Sequence, residues 1–236
     1  MIRECSLKDI SDGRTYDLND MVKADTGSCI GCHKCCTGMG TSIVLDPYDA
    51  WRLKRGLGKT FQELLDQDFI ELNMVDGLIL PNLKMNNEDK CSFLNQEGRC
   101  DIHPHRPGIC RIFPLGRVYD GEGFKYFLQK GQCIKDNNTK VKVKKWIDTD
   151  SVEANQKFIN SWHYFIREIG DKVCELKKSG RSESVNDIAM FILNSFYIAD
   201  SSPLGQEETD NLSEQIYDIF INRIEKSKSI INEIFA

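Results

Sequence analysis

The feature that most constrains this chain is its clustering of thiols. Four of its ten cysteines fall within residues 29–36, CIGCHKCC, with the spacing C-x2-C-x2-C-C. A cluster this dense is typical either of a disulfide framework or of a metal site. The two alternatives differ in the compartment they suit, because disulfides persist only where the surroundings are oxidising.

The rest of the sequence favours the metal alternative. The N-terminal residues MIRECSLKDISDGRTYDL contain no apolar stretch of signal-peptide length. No window approaches the roughly 20 apolar residues that span a bilayer, so no membrane association is expected. We therefore expect a cytoplasmic protein, in which thiols stay reduced and clustered cysteines bind metal.

Composition argues against a nucleic-acid partner. The chain has 236 residues, of which 40% are hydrophobic and 28% are charged, as in an ordinary globular protein. Its net charge is −5, which gives no electrostatic support for nucleic-acid binding. The basic run TKVKVKKW, residues 139–146, alternates lysine with valine and predicts an exposed strand rather than a track for phosphates.

Eight of the cysteines form the predicted metal-binding set. Its members are Cys29, Cys32, Cys35, Cys36, Cys91, Cys100, Cys110 and Cys133. A C-x2-C step suits one metal centre because a tight turn directs both sulfurs to the same side. Cys5 and Cys174 stand apart from this set, and Cys174, within a helical pattern, is predicted to be buried and inert.

The spacing leaves the metal and the number of centres open. Two four-thiolate zinc sites, an iron–sulfur cluster beside a zinc ion, and one cluster with further thiols around it all use eight cysteines. The successive C-x2 steps favour a [4Fe–4S] cluster, because zinc sites more often use separated pairs. Consecutive side chains of an extended backbone point to opposite sides, so Cys35 and Cys36 are expected to serve two different centres.

Other polar residues lie near Cys110. His103 and His105 belong to a proline-stiffened loop, where they could bind the metal or simply contact backbone and water. Arg106 and Arg111 flank the cysteine, and their charge would favour its thiolate or hold a substrate carboxylate. His163 belongs to a helical segment and is predicted to be structural.

These motifs carry a resemblance to a known family. The run C-x2-C-x2-CC, followed by C-x-FL-x3-G-x-C, by H-x2-RP-x2-CR-x-FP and by a final cysteine, resembles the YkgJ-type cysteine-cluster family. The resemblance covers residues 29–133 and implies a zinc- or iron-chelating domain built on the eight-cysteine set. A similar domain occurs in flagellin lysine N-methylase, which implies S-adenosylmethionine as cofactor, a protein as substrate, and methyl transfer to protein lysines.

Three functions follow as alternatives. The first is an enzyme, or an enzyme component, that modifies a protein, and it rests on the family resemblance alone. The second is a redox or electron-transfer protein with an iron–sulfur cluster. The third is a structural zinc module that presents a surface to a protein partner.

The predicted fold class is α+β, with a cysteine-cluster metal-binding domain at 1–146 and amphipathic helices at 147–236. Asp150 is expected to cap the first of three C-terminal helices, and Gly180 to end it. Apolar residues recur there at steps of three and four, which predicts a packed core. Its predicted members are Phe158, Trp162, Phe165, Ile169, Val173, Leu176, Val185, Ile188, Ile192, Phe196, Leu212, Ile216, Ile219, Ile230, Ile231 and Ile234.

Short elements are predicted within the metal-binding domain. TSIVL, residues 41–45, predicts a strand, and Asp46 before a proline predicts the start of a helix. Thr60, with a glutamate three residues later, predicts a capping box at the start of a second helix. Hairpins are predicted around Asp76–Gly77 and around DGEG, residues 120–123.

Overall fold

Short strands and helices of very different length make up the chain. The structure, a computed structural model, describes residues 6–25, 33–132, 139–147, 149–199 and 211–234. Its helices are α1 (Leu7–Ile10), α2 (Pro47–Leu57), α3 (Phe61–Asp66), α4 (Gly108–Ile112), α5 (Val143–Ile147), α6 (Val152–Lys178), α7 (Ser182–Leu193) and α8 (Leu212–Ile234). Its strands are β1 (Met21–Asp25), β2 (Ile70–Val75), β3 (Leu78–Leu83), β4 (Leu115–Tyr119), β5 (Phe124–Leu128) and β6 (Thr139–Lys142), paired as β1–β6, β2–β3 and β4–β5. This architecture confirms the predicted α+β class, and none of the described helices has the length and apolar composition needed to cross a bilayer.

The chain divides into two compact units that interleave along the sequence. The cysteine unit comprises residues 1–43 and 83–149, and the helical unit comprises residues 44–82 and 150–236. The chain therefore enters the helical unit, leaves it and returns. The predicted domain boundary near residue 146 stays a prediction about which fragments fold by themselves.

The second predicted hairpin lies in the cysteine unit and is confirmed. Strands β4 and β5 pair antiparallel, from Leu115 opposite Leu128 to Tyr119 opposite Phe124. Asp120 closes the connecting loop, because its carboxylate accepts hydrogen bonds from two backbone amides of residues 122–123.

The basic run 139–146 is a strand only in its first half. Residues Thr139–Lys142 form β6, which pairs with β1, and the chain then turns into α5. Burial explains this turn, since Val143 is fully buried and the Trp146 indole donates a hydrogen bond to the Ile112 carbonyl at 3.0 Å. The prediction of a continuous exposed strand is therefore wrong beyond residue 142.

The predicted helix starts within residues 44–82 are confirmed by their caps. Asp46 accepts a hydrogen bond from the Asp49 amide, and Asp49 accepts one from the Asp46 amide, which completes a capping box at α2. Thr60 and Glu63 form the corresponding box at α3. The first hairpin is confirmed as well, because β2 and β3 flank Asp76–Gly77, both with the positive φ that a tight two-residue turn requires.

The predicted strand at 41–45 is reduced to a single bridge. Val44 pairs with Asn82, and the Leu45 amide donates to the Pro81 carbonyl at 2.9 Å. At the adjoining position the Leu83 amide donates to the Ile43 carbonyl at 3.0 Å. The β-rich composition thus marks a short extended crossing beside β3 rather than a full strand.

The core of the helical unit largely follows the predicted periodicity. All ten predicted core residues from Phe158 to Phe196 are buried. In α8, the prediction is correct for Leu212, Ile216 and Ile231. It is wrong for Ile230, which is 39% exposed, whereas the fully buried core residues Tyr217, Phe220 and Ile224 were missed.

Aromatic and polar contacts tie α2 into this core. The Tyr48 and Tyr217 rings lie 4.2 Å apart between centroids, and the Tyr48 hydroxyl donates to Ser213 Oγ at 2.9 Å. The Asn155 amide donates to the Tyr217 hydroxyl at 2.9 Å, so this buried polar group is satisfied. These contacts explain why residues 44–82 belong with the C-terminal helices.

The start of α6 differs from the prediction. Ser151, in a left-handed conformation with φ of 49°, precedes the helix and makes no side-chain capping bond. Asp150 is therefore not the capping residue, because it stands one position too early. The predicted end is correct, since Gly180 follows the helix with a φ of 77°.

Candidate metal centre

Five of the eight predicted ligands lie in the described part of the cysteine unit. Cys91 is the most buried of these five, which are Cys35, Cys36, Cys91, Cys100 and Cys110. Cys29, Cys32 and Cys133 lie outside the described residues. The complete set of eight ligands therefore remains a prediction.

The adjacent cysteines lie on a 3₁₀ turn, Lys34–Cys36. The Cys36 amide donates to the His33 carbonyl at 2.9 Å, which closes the turn. The expected extended backbone at this point is wrong, and consecutive side chains in a 3₁₀ turn are not directed to opposite sides. The Sγ atoms of Cys35 and Cys36 accordingly lie 3.8 Å apart.

Backbone hydrogen bonds join this turn to the loop that carries Cys91. The Cys91 amide donates to the Cys36 carbonyl at 2.8 Å, and Thr37 bridges Lys90. Gly38 follows with a φ of 70°, which favours glycine, and its amide donates to the Asp89 carbonyl at 2.9 Å. These bonds hold the adjacent cysteines beside the loop that carries Cys91.

Cys91 and Cys100 follow two loops of the same construction. The loops are Asn86-Asn87-Glu88-Asp89-Lys90 and Asn95-Gln96-Glu97-Gly98-Arg99, an N-x-E-x-[KR]-C motif repeated nine residues later. In each loop the asparagine amide donates to the carbonyl of the basic residue, at 2.8 and 2.9 Å. The asparagine side chain also accepts bonds from two backbone amides of its own loop. The sequence signal for this repeat was present and was missed.

The repeat extends to the sulfur atoms. The Cys91 sulfur accepts a hydrogen bond from the Phe93 amide, and the Cys100 sulfur accepts one from the Ile102 amide. Both donors stand two residues after their cysteine. Amides directed at sulfur stabilise thiolate over thiol, which is the arrangement that metal-bound cysteines need.

The thiols influence one another strongly. The hydrogen bond with Cys36 lowers the pKa of Cys35 to about 7, against the effect of burial and with help from the Arg106 charge. The same hydrogen bond, together with burial and the charges of neighbouring thiols, raises the pKa of Cys36. Burial raises the pKa of Cys91 to about 11 and also raises that of Cys100. A metal ion binding here would displace protons from most of these groups.

Arginine side chains contribute positive charge to this region. The Nε atom of Arg106 is buried and has no hydrogen-bond partner within the residues that the structure describes. Arg111 is 6% exposed, and its guanidinium donates to the Pro104 carbonyl at 3.2 Å. An unsatisfied buried N–H beside thiols fits a site built to hold negatively charged sulfur.

The remaining sequence predictions can be placed as well. His103 and His105 form a 3₁₀ turn before α4, and His163 lies in α6, in the other unit. Cys174 is exposed on α6, so the prediction of a buried thiol is wrong. Its neighbour Val173 faces the core, and one residue further along a helix turns the side chain by about 100°.

The described residues by themselves do not complete a metal site. Over the ranges that the structure covers, no three His, Cys, Asp or Glu side chains are grouped so that they could hold a metal ion. The thiol donors, the amides directed at sulfur and the buried Arg106 Nε nevertheless fit a zinc or iron centre with thiolate ligands. The other predicted ligands, Cys29, Cys32 and Cys133, lie outside these ranges.

This region therefore has the chemistry of a cysteine-rich metal-chelating domain. Residues 28–144 match the family model CxxCxxCC, described as "Putative zinc- or iron-chelating domain". The match includes all eight predicted ligands, and this segment of the chain is similar to that family. No curated protein and no solved structure matched the chain. The resemblance to flagellin lysine N-methylase rests on the cysteine motifs alone.

Proposed function

We propose that the cysteine unit binds zinc or iron through thiolates of the eight-cysteine set, and that the metal stabilises the unit's fold. The observation that carries this proposal is the pair of matching loops that precede Cys91 and Cys100. The sulfur of each cysteine accepts a hydrogen bond from a backbone amide two residues later. The two loops have the same hydrogen-bond pattern, and burial of the two cysteines alone does not account for it. Their common product is a sulfur atom held ready for a metal.

The scarcity of regular structure supports a stabilising role. Between β3 and β4 the chain forms only the 3₁₀ turn His103–His105 and the five-residue α4. Few apolar side chains of this segment are buried, namely Cys91, Phe93, Ile102, Pro107, Ile112 and Pro114. So small a core offsets poorly the conformational entropy that is lost when this segment is ordered. Thiolate metal sites contribute on the order of 10 kcal/mol in small domains.

Metal analysis of the purified protein tests the proposal. Purification without oxygen, followed by measurement of zinc, iron and acid-labile sulfide per chain, should find bound metal in near-integral amount. Chelation should then lower the melting temperature. Cys91→Ser should lose metal and stability together, whereas Cys174→Ser, an exposed cysteine of the helical unit, should match the wild type. A chain that is metal-free and equally stable with or without added zinc or iron would contradict the proposal.

A finer assignment follows from the same measurements. We propose that the protein works in the cytoplasm, where reduced thiols remain available for metal. A [4Fe–4S] cluster for electron transfer is the alternative to single ions, and equal amounts of iron and acid-labile sulfide would establish it. The motif resemblance supports S-adenosylmethionine-dependent modification of a protein substrate, for which calorimetric binding of S-adenosylmethionine is the direct test. Absence of that binding would leave the structural metal module.

A further inference from the structure

We infer that Cys35 and Cys36 bind one and the same mononuclear metal ion, as a pair of adjacent thiolate ligands. This inference rests on the proposed metal-binding function and adds the identity of two ligands and the type of centre. It starts from the distance of 3.8 Å between the two Sγ atoms. Two ligands of a tetrahedral ion with metal–sulfur bonds of about 2.3 Å lie roughly 3.8 Å apart, so the pair already spans one edge of such a tetrahedron.

The backbone fixes this spacing from both sides. The 3₁₀ turn Lys34–Cys36 is closed by the Cys36 amide on the His33 carbonyl. The Cys36 carbonyl is in turn held by the Cys91 amide at 2.8 Å. Both backbone groups of Cys36 are therefore hydrogen-bonded, its amide as donor and its carbonyl as acceptor. The fold itself holds the two sulfur atoms close together.

The other uses of an adjacent pair fit this geometry less well. In a [4Fe–4S] cluster each thiolate binds a different iron, which separates the sulfurs by the iron–iron spacing as well. Two separate centres would need the sulfurs to diverge. A disulfide between neighbours would join Cα atoms about 3.8 Å apart, below the usual range of roughly 4.4–6.8 Å. A single tetrahedral zinc or iron ion therefore suits the pair best, with its other two ligands drawn from the remaining cysteines.

Protection of the cysteine thiols from alkylation by bound zinc tests the inference on the wild-type protein, without any variant. Metal-free protein is titrated with Zn²⁺, treated briefly with N-ethylmaleimide, and digested for mass spectrometry. Cys35 and Cys36 should become protected together, at the same number of zinc equivalents, while the exposed Cys174 stays reactive throughout. Protection of the two cysteines at clearly different zinc equivalents would overturn the inference.

Variants give the second measurement. Wild type, Cys35→Ser, Cys36→Ser and the control Cys174→Ser are titrated with Co²⁺, which absorbs visibly when thiolates surround it tetrahedrally. Both variants should lose thiolate-to-metal absorption from the same equivalent of cobalt and bind it more weakly by more than about tenfold. A wild-type spectrum in either variant would overturn the pairing but leave metal binding intact. A wild-type protein that binds neither zinc, iron nor cobalt would instead refute the proposed function itself.

Discussion

Arg106 brings a permanent positive charge to the thiols. Its charge adds to the Cys36 hydrogen bond in lowering the pKa of Cys35, and it opposes the burial that raises the pKa of Cys100. Its Nε atom is buried without a hydrogen-bond partner in the described part of the chain. A guanidinium in this position is suited to neutralise metal-bound thiolates and to donate to their sulfurs.

We predict that Arg106→Gln weakens zinc binding by about 10- to 100-fold, the range found when groups that support metal ligands are removed. Arg106→Lys keeps the positive charge but loses the planar guanidinium donor. Its zinc affinity should lie between that of Arg106→Gln and that of the wild type. Competition with a chromophoric chelator measures the affinities. Arg99→Gln is the matched control, since Arg99 is exposed and directly precedes Cys100. Equal affinities for all four proteins would exclude the role of Arg106.

The lowered pKa of Cys35 leads to a pH-dependent prediction for the metal-free protein. The pKa is lowered to about 7, chiefly by the Cys36 hydrogen bond, so the thiolate forms as pH rises through 7. Because the thiolate is the nucleophile, alkylation of Cys35 should accelerate by about tenfold between pH 6 and 8 and then level off. Cys36→Ala removes the hydrogen bond and should shift this profile to higher pH. Peptide-resolved mass spectrometry after brief iodoacetamide treatment measures it, and a rate still rising steeply above pH 9 in the wild type would be inconsistent with the lowered pKa.

At the scale of elements, the two repeated asparagine loops position Cys91 and Cys100 in the cysteine unit. Each asparagine accepts two amide bonds within its own loop, and each loop ends in a cysteine. The repeat spans only six residues and contains no hydrophobic periodicity. Its loops are therefore defined by hydrogen bonds of one side chain rather than by a buried face.

We predict that Asn95→Ala destabilises the metal-bound protein by about 1 kcal/mol or more, because two backbone amides lose their acceptor. It should also accelerate the release of metal to a chelator, since the loop positions Cys100. Asn87→Ala is the control, because Asn87 is exposed in the matching loop and takes no part in that loop's described side-chain hydrogen bonds, which are accepted by Asn86. Thermal melts and chelator kinetics make the comparison. Identical behaviour of the two variants would show that the loops do not support the site.

The elements with local signals were predictable from the sequence. Asp46 and Thr60 start helices through bonds to residues three positions later, and the Asp76–Gly77 turn follows from the φ values it needs. The 3₁₀ turn at Cys35 and Cys36 was not predictable in the same way. It is held by the hydrogen bond from the Cys91 amide to the Cys36 carbonyl, which forms only in the tertiary fold. The eight-cysteine set was recognisable as a pattern, whereas the geometry between its described members was not.

For the molecule as a whole, the interleaving of the two units decides which fragments can be stable. A fragment that ends at residue 149 keeps α2 but loses α6 and α8, which cover Tyr48 in the helical core. Such a fragment would expose a large apolar surface. The ends of the inserted segment are close together, because the Leu83 amide donates to the Ile43 carbonyl.

We predict that a chain joining residues 1–43 to residues 83–149 through a short glycine–serine linker binds as much metal per chain as the intact protein. It should also be more soluble than residues 1–149, because it lacks the orphaned α2. Elemental analysis and size-exclusion chromatography make both comparisons. A soluble joined chain without metal would show that the helical unit is required for the metal site.

The order of the two units along the chain also has a consequence during synthesis. Ribosomes add about 5–20 residues per second, so the interval between the appearance of α2 and that of α8 is on the order of 10 s. Until α6 and then α8 have been made, Tyr48 on the buried face of α2 lacks its ring partners Phe158 and Tyr217. All eight predicted ligands have emerged well before α8. Metal loading can therefore precede completion of the helical unit, and the nascent chain would meet chaperones with its cysteine unit already assembled.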